Sequence, residues 1–123
     1  MKKLKSCTVF SSILIASLLL AIPGSFAAGT KPACKGETLR IYTKALNFYV
    51  PNLIKLELSL EIKDLYDQKR DYSTKDLYDV QQNDKAIEKY MANVDEYKPI
   101  VQSLAKSCKV SFSAVVREWR KKY

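Results

Sequence analysis

Thirteen carboxylates, two cysteines and no histidine define the chemistry open to residues 28–123. Carboxylate pairs such as Glu57 and Glu61 stand one helical turn apart and hold the atoms for acid–base work. The same spacing is the ordinary pattern of a wet helix face, and nothing nearby completes a catalytic set. The lack of histidine removes the usual general base and the commonest metal ligand. The three glycines, Gly24, Gly29 and Gly36, form no phosphate-cradling loop. Cys34 and Cys108 are an even pair, read as a disulfide rather than two free thiols, which leaves no thiolate nucleophile. The reading is a protein that is not an enzyme: no catalytic residue, no metal ligand and no cofactor.

The compartment that allows the disulfide is written in residues 1–27. Lys2, Lys3 and Lys5 open the chain, and Val9 to Ile22 form an apolar run. Pro23 and Gly24 break that run, and Ser25-Phe26-Ala27 puts small residues where a signal peptidase looks. The run is shorter than the roughly 20 apolar residues that cross a bilayer. Lys31-Pro32-Ala33 before Cys34 cannot serve as a lipobox. Cleavage after Ala27 leaves 96 residues, enough for one domain with a modest core. Eighteen cations then face thirteen carboxylates, a net charge of +5, and Cys7 departs with the leader. A Cys34–Cys108 bridge closes a loop worth at most roughly 4.5 kcal/mol in the chain-entropy model.

The elements that position these residues read as helices. After a short lead-in, Leu39, Tyr42, Ala45, Leu46 and Tyr49 recur at three- and four-residue steps. Pro51 interrupts them and suits a kink or a new first turn. Ile54, Leu56, Leu58, Leu60 and Ile62 alternate with Lys55, Glu57, Ser59 and Glu61, the period of a strand. Leu, Glu and Lys are helix formers, so helix is favoured there over strand. Residues 63–68 (KDLYDQ) and 75–81 (KDLYDVQ) resemble each other, and Ser73 or Thr74 between them suits an N-cap beside a loop near 69–75. Ile87, Tyr90, Met91, Val94 and Tyr97 share a helical face, and Pro99 opens another turn running to Cys108. Phe112, Val115, Val116 and Trp119 line one side of a last helix. The expected fold is all-α, a small bundle of four or five helices over residues 28–123, stapled by one disulfide.

Two surfaces are candidates for binding. One is the basic tail, Arg117, Arg120, Lys121 and Lys122, which with Trp119 and Tyr123 could hold an anionic lipid or acidic protein; the competing reading is a wet helix side over a packed one. Export disfavours nucleic acid as the partner. The other is Leu53, Ile54, Leu56, Leu58, Leu60 and Ile62. On a helix, Ile54, Leu58 and Ile62, with Leu65, form one stripe, and Leu53, Leu56 and Leu60 the other. Such a segment is a central helix packed on both sides, a dimer interface, or a surface concealed in one state and used in another.

The order of several short elements resembles the periplasmic acid-resistance chaperones HdeA and HdeB. They are Cys34, Pro51 in an apolar helical region, Asp79-Val80-Gln81, Pro99-Ile100-Val101-Gln102, Cys108, Ser111-Phe112, Val116-Arg117-Glu118-Trp119 and a lysine-rich end. The likeness is greatest over residues 99–122. The stretch from Gln81 to Pro99 looks longer than in that family, and the one from Cys108 to Phe112 shorter. The resemblance implies a periplasmic homodimer at neutral pH that loosens in acid and binds unfolding proteins through apolar surface. The charge pattern is compatible: towards pH 2 the carboxylates neutralise and the net charge climbs from +5 towards +18, opposing a compact state. Without histidine the switch falls in the carboxylate range, well below pH 6. Other readings are an inhibitor- or immunity-type binding module, in the periplasm or secreted, and a peripheral membrane binder using the tail, which is not favoured.

Overall fold

The computed structural model describes residues 30–123, so the leader assigned above lies outside the described residues. Three helices account for most of the described chain, and it holds no strand. Helix α1 spans Gly36–Asp67, α2 spans Thr74–Ser107 and α3 spans Phe112–Arg120. The first two, 32 and 34 residues long, are rods of about 50 Å that run antiparallel as a hairpin. Asn93 Nδ2 donates to Asn52 Oδ1 at 2.9 Å, Asn83 Nδ2 donates to the Ser59 carbonyl at 2.9 Å, and the Tyr66 hydroxyl reaches Asp79 at 3.4 Å. These bonds set the register along the hairpin.

The alternating segment 54–62 is helix, as its Leu, Glu and Lys content favours. The described residues hold three helices, against an expectation of four or five, and the difference lies at two prolines. Pro51 and Pro99 both sit inside unbroken helices. Pro51 has no N–H for the Asn47 carbonyl. One residue on, the Asn52 side chain donates to the Phe48 carbonyl at 2.8 Å, adding a bond where the ladder is weakened. Buried side chains stand before and after each proline along its rod, Val50 and Leu56 around Pro51 and Val94 and Val101 around Pro99.

The tip of the hairpin is a turn at 68–73, close to the loop expected near 69–75. Ser73 caps α2 through a reciprocal box: its hydroxyl accepts from the Asp76 N–H at 3.0 Å, and the Asp76 carboxylate accepts from the Ser73 N–H at 3.0 Å. The Tyr72 hydroxyl donates to the Tyr66 carbonyl at 2.5 Å, and their rings meet edge to face. The two KDLYD copies thus flank the turn, one ending α1 and the other opening α2.

The opposite end is the base. Cys34 and Cys108 are disulfide-bonded with Cα atoms 4.5 Å apart, and the Ala33 N–H donates to the Cys108 carbonyl at 2.8 Å. Helix α2 ends in a Schellman motif: Val110 N–H returns to the Ala105 carbonyl at 2.9 Å and Lys109 N–H to the Lys106 carbonyl at 3.2 Å. Lys109 takes the left-handed position (φ 58°) that glycine usually fills. Helix α3, capped by Ser111, folds back over the base. There Leu46, Val50, Val101, Val115 and Cys108 are sealed from solvent, with Tyr42, Tyr49, Phe112 and Trp119 packed around them. Trp119 lies with Val115 and Phe112 against this core, as their spacing expects.

Candidate functional site: an uncovered helical arm and a basic base

The core stops halfway along the hairpin. From Glu57 to Asn93 the only buried residue is Ser59. Helix α3 is nine residues long and reaches no further than an ion pair in which Arg120 clasps Glu57 with two bonds of 2.6 Å. Beyond that clasp, residues 57–93 form a two-helix arm with no third layer.

The six residues assigned to a client or dimer surface are divided by this geometry. Leu56 is buried, and Leu53 and Ile54 are half-buried against the core. Leu58, Leu60 and Ile62 are exposed. Residues two apart on a helix point about 200° apart, so the alternating pattern cannot face one way. The stripe that does stand open is Leu58, Ile62 and Leu65, at 53%, 41% and 65% exposure. Helix α2 adds Leu77 and Tyr78, which sequence reasoning did not assign, and Met91, which it placed on one face with Ile87, Tyr90, Val94 and Tyr97 but which stands exposed. Leu77 and Met91 are fourteen residues apart, four helical turns, and that spacing was available as a signal.

The basic tail is also divided. Arg120 is spent on Glu57 and Lys121 on Glu118 at 2.9 Å, while Lys122 lies 3.8 Å over the Trp119 ring. Arg117 is exposed and joins no ion pair among the described residues. The tail therefore fastens α3 to the base more than it presents a cluster of open cations. The Tyr123 hydroxyl, donating to Asn47 at 3.1 Å, adds to the fastening.

Three carboxylates are held below their usual range by a basic partner: Glu57 between helices, Asp76 at the tip and Glu37 within α1. The Arg120 guanidinium hydrogen-bonded to Glu57 keeps its carboxyl below the usual range, with desolvation opposing. Asp76 is lowered to about 2, first by the hydrogen bond from Lys69 at 2.8 Å and then by the Ser73 N–H of the capping box. Glu37 is lowered by its bond to Arg40. The Lys75 ammonium, bonded to Asp79 at 2.6 Å, is raised.

One shallow cleft of about 290 Å³, bordered by Ile62, Leu65, Tyr66 and Lys69, lies on the arm, and other shallow clefts sit at the base. One of about 270 Å³ is bordered by Thr30, Tyr42, Glu118, Trp119 and Lys122; another of about 380 Å³ is bordered by Ile41, Phe48, Tyr97 and Ile100. Among the described residues no three His, Cys, Asp or Glu side chains gather as a metal site, and no helix is long and apolar enough to cross a membrane. What the arrangement offers is surface: an apolar arm without a cover, and a base carrying most of the positive charge. Comparison with protein-family models, with curated proteins and with solved structures found no match to this chain.

Proposed function

We propose that this is an exported, non-enzymatic binding protein of the periplasm that holds unfolding polypeptides, most strongly in acid, through the apolar side chains of its two-helix arm. One observation carries the reading: thirty-seven consecutive residues, 57–93, bury only Ser59 yet display Leu58, Leu60, Ile62, Leu65, Leu77, Tyr78 and Met91. An arm so apolar and so poorly covered suits a chain that takes other chains as its cover.

Acid supplies the second stage. Protonating Glu57 releases the clasp between α3 and α1, and protonating Asp76, close to pH 2, releases the tip. Both carboxylates have folded pKa values below their unfolded ones. Their stabilisation is therefore present above the unfolded values and is lost as pH falls through the folded ones. The rising positive charge pushes the rods apart while the disulfide keeps the base from unravelling. Leu53, Ile54 and Leu56 then join the side chains that are open at neutral pH, and in a homodimer the same surface would be exchanged between a second copy and a client.

The test is light scattering of an acid-sensitive periplasmic client, with the protein in molar excess, at pH 2.5 and pH 7. Suppression of aggregation in acid, weakened by Leu58→Ser with Leu65→Ser, is the expected result. Unchanged aggregation in acid overturns the chaperone reading. Equal binding at both pH values, carried by the same leucines, favours the inhibitor-type module, for which the arm's exposure without acidification already speaks.

A further inference from the structure

Charge is distributed unevenly along the molecule. Residues 53–93, which make up the arm and its root, carry seven cations and nine carboxylates, a net −2. The rest of residues 28–123 carries eleven cations and four carboxylates, a net +7. Within that base the disulfide pole is the extreme: residues 30–36 and 106–111 contain Lys31, Lys35, Lys106 and Lys109 and no carboxylate. All four lysines lie within three residues of a bridged cysteine and are exposed. None joins an ion pair among the described residues, whereas Arg120 and Lys121 of the tail do. The nearest carboxylates along the chain or across the neighbouring cleft are taken: Glu37 by Arg40 and Glu118 by Lys121.

We infer that this lysine pole is a docking surface for anionic phospholipid headgroups. The choice of lipid follows from what the pole contains. Residues 30–36 and 106–111 supply no arginine fork and no aromatic ring, and the Trp119 ring in the cleft beside Thr30 is covered by Lys122, so the pole offers few of the anchors of a protein interface or the platforms on which nucleic-acid bases stack. Hydrated point charges with little apolar surface between them suit a layer of phosphates read at a distance. Position agrees. The pole begins eight residues after Ile22 ends the apolar run, a reach of at most about 29 Å. In the export reading it is the part of the domain nearest the membrane when the leader is cut. Docked there, the pole leaves the acidic arm pointing away from the lipid, free to meet other chains.

Lys109 strengthens the case. It occupies the left-handed position of the Schellman motif, where glycine sits without steric penalty, and so keeps a cation at a backbone cost. Lys109→Gly should leave the melting temperature unchanged or raise it while weakening lipid binding, a pair of effects that a structural role would not produce.

The experiment is co-sedimentation of the exported protein with vesicles of phosphatidylcholine containing about 30% phosphatidylglycerol, at low and high salt, beside vesicles of phosphatidylcholine alone. Expected is binding to the anionic vesicles only, abolished by about 0.5 M salt, where charges are screened within a few ångströms. Lys35→Ser with Lys106→Ser should weaken it by about tenfold or more. Arg117→Ser with Lys121→Ser should change it far less. No binding at low salt, equal binding to neutral vesicles, persistence in high salt, or an equal loss from the tail variant each overturns the inference. The proposal rests on export and not on client capture. Client protection by the pole variant is measured in parallel, so either idea can fail while the other stands.

Discussion

The two ends of the hairpin are made of similar residues and differ in how many layers cover them. At the base, α3 and the disulfide lie over α1 and α2, and side chains such as Leu46, Val50, Val101 and Val115 are withdrawn from water. In the arm, the same two rods run on without a third element, and leucines as apolar as Leu46 stand more than one-third exposed. Two helices alone enclose a seam and not a core, so burial falls away as soon as α3 ends. What remains in the arm is the seam between two rods, with Ile87 and Tyr90 partly buried near its root, the Asn83 bond to Ser59 across it, the capping box and the ion pairs of Lys69 with Asp76 and Lys75 with Asp79. Exposed pairs of that kind are screened by solvent and contribute little each. The lesson is that helix continuity and helix stability are separate properties in this chain. The arm is the end where opening costs least.

The largest expected break of this contrast is loss of the disulfide. Replacing Cys34 and Cys108 with Ser frees a loop of about 75 residues and should lower stability by up to roughly 4.5 kcal/mol. Urea unfolding followed by far-ultraviolet circular dichroism measures it. A midpoint unchanged by the double substitution would mean that the base draws its order from packing alone.

A sharper comparison uses one residue type in both environments. Leu46 is fully buried in the base and Leu58 is 53% exposed on the arm, twelve residues along the same helix. Leu46→Ala should cost about 3 kcal/mol or more, as large truncations in packed cores do. Leu58→Ala should fall within about 0.5 kcal/mol. Similar costs at the two sites, measured by the same urea titration, would show that something covers the arm in solution and that its apolar stripe is an occupied interface.

That pair also marks how far the sequence could be read. The helical base was legible because Leu39, Tyr42, Ala45, Leu46 and Tyr49 repeat at helical steps with flanking cysteines, and the tip because Ser73 or Thr74, between the two similar segments, suits an N-cap. The paths through Pro51 and Pro99 were not. A proline's cost is a local quantity, and whether packing outweighs it depends on partners tens of residues away. The division of Leu53–Ile62 was illegible for a related reason. Its apolar residues recur every two positions, so on a helix they surround the rod, and only the length of α3 decides which are covered. The tail's partners were illegible too: Glu57 and Glu118, one of them 63 residues upstream of its partner, absorb two of its four cations.

The smallest effect, and the one that separates the two ends by pH, concerns those absorbed charges. Glu57 joins the arm's root to α3 through two hydrogen bonds from Arg120, and its carboxyl is held below the usual value of 4.5. A folded pKa lower than the unfolded one gives a contribution that is complete above pH 4.5 and lost as pH falls through the folded value. Both partners are partly exposed, so the contribution is about 1 kcal/mol at most. Asp76 at the tip is lowered further, to about 2, and keeps its bonds to Lys69 and Ser73 when the Glu57 clasp is already protonated. Acid should therefore loosen α3 from the arm's root before it opens the turn. Urea midpoints at pH 7, 4 and 3 test this order. Glu57→Gln should reduce the loss of stability between pH 7 and 3, whereas Asp76→Asn should lower stability at all three values and leave that loss nearly unchanged. If Asp76→Asn flattens the profile above pH 3 and Glu57→Gln does not, the tip and not the clasp is the element that acid reaches first.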